Sequence, residues 1–363
     1  MMGFFRLILA LAVFIDHAHE ILGREISVTH QSANIFIWSG HAVFAFFILS
    51  GFYISMVITE KYSKLSNGAG KFYLNRALRL YPVNWLMLIL FAWLILSTGE
   101  KSFLVFDTEP GKEWLMPVAL FCNAFFFGAE LIPFSTPENW NYVIGPVWSL
   151  SLELYFYVLA PFIVTRSLKT ILALTMAGVV LRITLYALDF PVVPWRYFFF
   201  PSSIAFFMLG VLAYRLYIEA KNKSWVIMAG KISALALIVF IVTPQLWTSG
   251  DQDAPLSWLF YLTVFVCTPF LFELTKKSKI DRITGQLAYP VYLGHFVVMS
   301  VVLHYYEGEL DKSVVSLIGT FLFAFIAYYA VDIPIERIRL IISKTNNAKE
   351  LNTLNQVISR VAT

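Results

Sequence analysis

Apolar stretches of about 20 residues alternate along this chain with short polar segments. A stretch of this length can cross the hydrocarbon core of a membrane as an α-helix. Ten such stretches are present: 3–22, 35–59, 82–98, 147–165, 170–188, 198–217, 226–246, 257–274, 285–304 and 313–334. A shorter apolar run, 114–128, contains Pro117. The pattern predicts an all-α polytopic membrane protein with about ten transmembrane helices.

The composition agrees with this pattern and excludes a soluble globular protein. Hydrophobic residues make up 59% and charged residues 14% of the 363 positions, whereas an average soluble domain carries roughly 25% charged residues. Ten spans leave no room for a large soluble domain, so we assign residues 1–334 to one membrane-embedded domain and residues 335–363 to a polar cytoplasmic tail. No stripe of basic and aromatic residues indicates nucleic-acid binding, and Cys122 and Cys267 form no metal-binding pattern.

The distribution of charge predicts an orientation in the membrane. Lys and Arg accumulate in cytoplasmic loops, and 21 of the 27 lie at one end of the predicted spans, while the opposite loops are acidic. Both termini are then cytoplasmic, which requires an even number of spans. The run 114–128 is therefore expected to be a short re-entrant or interfacial helix within the outer loop 99–146.

Ionisable residues inside apolar stretches cost roughly 2.5–3.5 kcal/mol at a helix centre and are candidates for function. Arg6 and His17 are eleven residues apart, so on a helix they share one face and lie about 16 Å apart along the axis. A cation in line with a deeper imidazole suits a long ligand with an anionic head and a reactive far end. The same spacing is equally compatible with Arg6 as a membrane anchor and His17 as a packed histidine. Asp16 points about 100° away and is expected to bond a neighbouring helix.

Arginines in the segment FYLNRALRLYP form a second candidate site. Arg76 and Arg79 are three residues apart and share a face if the segment is helical. Guanidinium groups suit phosphate because they bind it bidentately and stay charged. Ordinary cytoplasmic anchoring residues would show the same pattern. Pro82 is expected to break or open the following span.

Two later segments place polar groups at membrane depth. Glu153 in PVWSLSLELYFY needs a partner or a proton, and a structural hydrogen-bond hub is the alternative to a functional role. His295 in AYPVYLGHF lies near mid-membrane and could equally be a buried histidine bonded to a neighbouring helix. Arg182 could pair with either Asp189 or Glu153, and Asp332 is expected to be structural.

Together these segments resemble the integral-membrane acyltransferase 3 family of bacterial O-acyltransferases, in its single-domain form, over residues 6–334. The family's arginine and histidine with ten residues between them match Arg6 and His17. The other matching residues are Phe46, Phe47, Ser50, Gly51, Arg76, Arg79, Tyr81, Pro82, Trp148, Ser149, Leu150, Glu153, Tyr289, Tyr292, His295, Asp332 and Pro334. One position departs from the pattern: many members carry an acidic or amide residue where this chain has Phe44, and His41 is a candidate substitute.

The resemblance implies a multi-pass enzyme of the bacterial inner membrane that transfers an acyl group other than an aminoacyl group. The donor would be cytoplasmic acyl-coenzyme A, by default acetyl-CoA. The acceptor would be a hydroxyl of a cell-surface polysaccharide or its lipid-linked precursor. Membrane lipids are the other expected partners, and no metal is required.

The resemblance and the residue types together suggest a role for each matching residue. We expect His17 to act as general base or transiently accept the acyl group, and Glu153, the second catalytic residue, to orient the imidazole or the acceptor. Arg6, Arg76 and Arg79 would bind the phosphates of coenzyme A. The substrate-binding residues would be Ser50, Trp148, Ser149, Tyr292 and His295.

A transporter or flippase for a lipid-linked sugar, without acyl chemistry, is the alternative function. Sparse charges inside the membrane also suit a substrate pathway. Transporters often carry internal repeats, and no repeat is visible in this sequence. A sensor or scaffold would leave the arginine pair and the deep histidine without a role.

Overall fold

Helices connected by short turns make up the described part of the protein. The computed structural model describes residues 2–22, 37–98, 115–135, 145–247 and 251–344, and these residues contain no strand. The α-helices within them are α1 (Gly3–Leu22), α2 (Ser39–Glu60), α3 (Gly68–Thr98), α4 (Leu115–Phe125), α5 (Ile132–Ser135), α6 (Val147–Ile163), α7 (Leu168–Ala187), α8 (Phe200–Ala220), α9 (Val226–Val242), α10 (Pro255–Thr275), α11 (Lys279–Tyr305), α12 (Lys312–Ala327) and α13 (Ile333–Lys344).

The helices correspond to the predicted spans. Seven helical segments of the described chain are long and apolar enough to cross a membrane, and they contain α2, α3, α7, α8, α10, α11 and α12. Helices α6 and α9 are equally apolar but have 17 residues each. Helix α1 has 20 residues, three of which are the charged Arg6, Asp16 and Glu20. Each predicted stretch overlaps one of these ten helices, which confirms the all-α polytopic membrane fold.

Helix α3 is longer than the predicted span 82–98 and continues through Pro82. The expectation that Pro82 would break or open this span was wrong. A proline inside a helix removes one backbone donor and crowds the preceding turn, but contacts from other helices hold this part of α3. The hydroxyl of Tyr289 on α11, for example, donates to the carbonyl oxygen of Leu80 at 2.7 Å. Arg76 and Arg79 therefore lie on an unbroken helix.

The short apolar run forms the 11-residue helix α4, as predicted. The last four carbonyls of a helix have no partner within it. Three carbonyls at the end of α4, those of residues 123–125, accept hydrogen bonds from side chains of α3. The donors are Asn84 Nδ2 at 2.9 Å, Trp85 Nε1 at 3.0 Å and Tyr81 Oη at 3.1 Å. Helix α4 can therefore end against α3 without needing water at its terminus.

Two pairs of glycines bring helices of the bundle into backbone contact. Gly51 on α2 faces Gly210 on α8, where a Cβ atom would lie 2.0 Å from the carbonyl oxygen of Ile48. Gly285 on α11 faces Gly3 on α1, and a Cβ atom at Gly285 would lie 2.9 Å from the Cα atom of Gly3. Small residues allow membrane helices to approach closely. These contacts fix the positions of α1, α2 and α11, which carry candidate site residues.

We expect Gly210→Ala to destabilise the protein, because the added methyl group overlaps the carbonyl of Ile48. Overpacking of this kind typically costs about 1–3 kcal/mol. The matched control is Ser203→Ala on the same helix. It removes a buried hydroxyl that has no hydrogen-bond partner in the described part of the chain, so stability should stay the same or rise. Thermal unfolding of both variants in one detergent measures the difference, and a wild-type Tm for Gly210→Ala would contradict the close contact.

Candidate active site

A cavity of about 410 Å³ lies among helices α1, α2, α3, α6, α10, α11 and α13. Its size falls within the range of small-molecule sites. The charged residues that line it are Arg6, Arg76, Arg79, Arg282, Arg339, Glu153 and Glu336. The lining residues with hydroxyl groups are Ser50, Tyr53, Ser149, Tyr157, Tyr289 and Tyr292. Five arginines against two glutamates give the cavity a positive charge that suits an anionic ligand.

Asn75 organises the arginines at one end of the cavity. Its Oδ1 atom accepts hydrogen bonds from Arg76 Nη2 at 3.1 Å and from Arg339 Nε and Nη2 at 3.2 and 3.1 Å. Its Nδ2 atom donates to the carbonyl oxygen of Arg339 at 3.4 Å. A neutral carboxamide therefore holds two guanidinium groups together without neutralising them. We call Arg76, Arg79 and Arg339 the arginine cluster.

The arginine cluster has spare capacity to bind an anion. Arg79 contacts one carboxylate, that of Asp332, at 3.5 Å, which agrees with the structural role expected for Asp332. The Nε atom of Arg76 is buried and has no hydrogen-bond partner among the described residues. A buried charged donor without a partner is costly. Arg76 and Arg79 both line the cavity, where an anionic ligand could contact their guanidinium groups.

Glu153 is held at the cavity wall by two hydroxyl groups. Its Oε1 atom accepts hydrogen bonds from Ser50 Oγ at 2.5 Å and from Tyr157 Oη at 2.6 Å. Ser50 comes from α2 and Tyr157 from α6, so the carboxylate joins two walls of the cavity. Arg6 on α1 lines the same cavity, with its guanidinium carbon 5.9 Å from the ring centre of Tyr53.

Tyr292 on α11 and Ser149 on α6 form a hydrogen-bonded pair at the cavity wall. Ser149 Oγ donates to the carbonyl oxygen of Pro146 at 2.8 Å. It has no second proton, so in its 2.7 Å contact with Tyr292 it accepts the hydrogen bond from the phenol. Both side chains line the cavity. Tyr292 is also the lining residue of α11 that comes closest in sequence to His295.

His17 lies beyond Tyr292 and does not line the cavity itself. Its Nδ1 atom is 2.8 Å from Nε2 of His295, and the two ring planes are within 18° of parallel, with centroids 5.1 Å apart. The ring of His295 is in turn 6.4 Å from that of Tyr292. The structure thus brings together the histidine of α1 and the histidine of α11, next to the end of the cavity formed by Tyr292.

Trp148 and Asp16 also lie outside the cavity lining. Trp148 is buried and packs against Tyr197 and Phe198, with ring centroids 4.2 and 4.7 Å apart, so it contributes to the protein core and not to the cavity wall. Asp16 accepts a hydrogen bond from Ser39 on α2. This bond is the contact to a neighbouring helix that was expected for Asp16.

Arg182 pairs with neither Asp189 nor Glu153, and both expectations were wrong. It forms a buried ion pair with Asp253, in the loop before α10. Asp253 also contacts Arg196 at 3.1 Å. The partner lies 71 residues away in the sequence, so local spacing gave no signal for it.

Phe44, the departure from the family pattern, takes part in this buried cluster. The guanidinium carbon of Arg182 lies 4.3 Å from the ring centre of Phe44 and 4.8 Å from that of Phe206. His41, the candidate substitute, contacts Ser257 Oγ through Nε2 at 2.9 Å and does not line the cavity. The position therefore faces a buried cation and not the cavity.

Sequence reasoning missed Asn75, Arg282 and Arg339. Arg282 precedes Tyr289 by seven residues, which places both on one face of α11, so helical spacing from the recognised tyrosine could have found it. Arg339 gave no comparable signal because it belongs to the segment assigned to the polar tail. Among the described residues, no three His, Cys, Asp or Glu side chains are grouped so that they could hold a metal ion.

Comparison with known proteins gives a match over almost the whole chain. A family model described as an acyltransferase domain matches residues 2–330. The chain is 25% identical over 331 residues to nodulation protein 10 of Rhizobium leguminosarum bv. viciae, an alignment that covers 84% of each protein. It is 23% identical over 349 residues to O-acetyltransferase OatA of Staphylococcus aureus, covering 88% of this chain and 56% of that relative. The chain therefore spans little more than half of the staphylococcal protein. No solved structure gives a significant match.

Proposed function

The chain belongs to the acyltransferase domain family and is a membrane O-acyltransferase, and we propose that it transfers an acyl group from acyl-CoA to a sugar hydroxyl. The acceptor in this proposal is a cell-surface polysaccharide or its lipid-linked precursor, and acetyl is the default acyl group. Membership in an acyltransferase family does not support the alternative of a transporter without acyl chemistry.

The observation that carries the proposal is one cavity with the arginine cluster at one end and Tyr292, beside the histidine pair, at the other. Coenzyme A has the matching polarity, with phosphates at one end and the thioester at the far end of a slender arm. Arg282 and Tyr292, the first and last residues of α11 that line the cavity, are ten residues apart, which corresponds to about 15 Å along the helix axis. A compact anion would not need a site of this length.

In the proposed complex the arginines hold the phosphates. Guanidinium groups form charge-assisted and often bidentate hydrogen bonds with phosphate oxygens. Arg76 and Arg79 serve this role together with Arg6, as the sequence suggested, and Arg339 and Arg282 extend the set. Glu153, fixed by Ser50 and Tyr157, would orient groups in the middle of the cavity.

The proposed transfer step uses His17 as a general base. The acceptor oxygen forms a bond to the acyl carbon, and the bond between that carbon and the coenzyme A sulfur breaks. The imidazole takes the hydroxyl proton and returns it to the departing thiolate, so the enzyme ends in its starting protonation state. Histidine is the side chain that most often takes and returns protons in this way.

We further propose that the protein lies in the bacterial cytoplasmic membrane with both termini in the cytoplasm. The excess of Lys and Arg at one end of the helices supports this orientation. The arginine cluster belongs to the same end, so it would face the compartment that contains acyl-CoA. His17 lies about 16 Å farther along α1 than Arg6, towards the outer side.

Mass analysis of surface glycans tests the proposal. We expect glycans of the producing cells to lose acetyl groups when the gene is deleted and to regain them with the wild-type gene. Purified protein in lipid nanodiscs should release free coenzyme A from acetyl-CoA when an extract of the deacetylated glycan is added. Unchanged glycans after deletion, together with no acceptor-dependent release of coenzyme A, would contradict the proposed reaction.

A further inference from the structure

A chain of hydrogen bonds connects His17 to the backbone of α11 through His295. The ring of His295 is completely buried and has a different partner on each side. Its Nδ1 atom lies 3.3 Å from the carbonyl oxygen of Val291, and its Nε2 atom lies 2.8 Å from Nδ1 of His17. Both ring nitrogens of His295 therefore have a defined neighbour, so the positions of the protons follow from the donor and acceptor properties of the groups.

The carbonyl oxygen of Val291 determines both tautomers. A carbonyl oxygen can only accept, so the proton of neutral His295 lies on Nδ1. The Nε2 atom of His295 is then an acceptor, and Nδ1 of His17 must donate to it. The proton of neutral His17 is thereby placed on Nδ1, which leaves the lone pair on Nε2. That Nε2 atom has no hydrogen-bond partner among the described residues.

We propose that His295 is the positioning residue that holds His17 in the tautomer with a basic Nε2 atom. This inference rests on the proposed function, in which His17 accepts a proton from the acceptor hydroxyl. In Ser-His-Asp enzymes a carboxylate orients the catalytic imidazole in this way. Here Asp16, the carboxylate next to His17 in the sequence, is bonded to Ser39, and a second imidazole occupies the orienting position.

This tautomer determines which nitrogen of His17 exchanges protons with the substrates. Nε2 of His17 takes the proton from the acceptor hydroxyl, while Nδ1 keeps its proton in the bond to His295. After the carbon–sulfur bond breaks, Nε2 gives its proton to the thiolate. His295 remains neutral throughout and touches no reacting atom. With the opposite tautomer of His17, Nε2 would carry a proton already and could not act as a base.

Two amide substitutions at His295 test this role, because the two side chains differ in length and only the longer one can contact His17. In His295→Gln the side-chain oxygen of the introduced amide would lie near the position of Nε2 and could accept from His17, so this variant should keep transfer within about tenfold of wild type. The shorter side chain of His295→Asn places its amide near the position of Nδ1 and cannot reach His17. We expect His295→Asn, and His295→Phe with no acceptor, to lower kcat by about 10²- to 10⁴-fold.

The outcomes separate this inference from the proposed function. Acetyl-CoA affinity should be near wild type in both amide variants, since His295 does not line the cavity. Both variants should lower Tm, because each replaces a completely buried ring with a smaller side chain, so transfer rates are compared at a temperature at which both variants are folded. Equal transfer rates in His295→Gln and His295→Asn, whether both high or both low, would overturn the positioning role. If wild-type protein itself transfers no acyl group, the proposed function fails instead.

Discussion

His17→Ala should abolish acyl transfer while leaving donor binding intact. A general base typically contributes about 10²- to 10⁴-fold to the rate. The other imidazole of the described chain near this end of the cavity is the buried His295, whose Nε2 atom is occupied by His17. His17 does not line the cavity that would hold the donor, so the Kd for acetyl-CoA should change little. Equilibrium binding and single-turnover transfer, measured on the same sample, give the two quantities.

His304→Ala is the matched control for this substitution. His304 lies on α11, nine residues after His295, and contacts the ring of Tyr305. It is outside the cavity and outside the histidine pair, so transfer and binding should both remain at wild-type level. Wild-type transfer by His17→Ala would exclude His17 as the base.

The double substitution Arg76→Ala with Arg79→Ala should weaken donor binding steeply. A hydrogen bond to a charged group is worth about 1.5–3 kcal/mol, so the loss of two guanidinium groups should raise the Kd for acetyl-CoA by about 10²- to 10⁴-fold. Removal of Arg79 also leaves Asp332 without its partner at 3.5 Å, and this carboxylate would then repel the phosphates. At saturating donor, kcat should be far less affected than affinity.

Lys169→Ala with Lys277→Ala is the control for lost charge. Both lysines are exposed and do not line the cavity, so this variant loses the same two positive charges without losing a ligand contact. Its affinity for acetyl-CoA should be near wild type. Equal weakening in the two double variants would mean that the arginines act through general electrostatic attraction and not as a binding site.

The membrane fold could be predicted from the sequence because each span is recognisable by its own length and hydropathy. Length and hydropathy located the helices, and they also distinguish the 11-residue helix α4 from the longer helices that could cross a membrane. The effect of Pro82 could not be read in this way. Whether a proline interrupts a helix depends on contacts from other helices, such as the bond from Tyr289 to Leu80.

Helical spacing predicted the candidate site only where its residues lie on one helix, and the resemblance to the family supplied the residues of the other helices. Helical spacing placed Arg76 beside Arg79, and both line the cavity. Contacts between distant segments gave no sequence signal: the pairing of His17 with His295 spans 278 residues, and that of Asn75 with Arg339 spans 264. These contacts depend on how α1 and α13 pack against the other helices, which periodicity does not describe.

In the proposed complex one donor molecule contacts the arginine cluster with its phosphates and the histidine pair with its thioester. The most direct test compares kcat/KM for acetyl-CoA and for S-acetyl-N-acetylcysteamine, which has the thioester end without phosphates. Wild-type protein should strongly prefer acetyl-CoA, and Arg76→Ala with Arg79→Ala should remove that preference by slowing the reaction of acetyl-CoA alone. If the arginine substitutions slow both donors by the same factor, the arginines do not hold the donor phosphates and the account is contradicted.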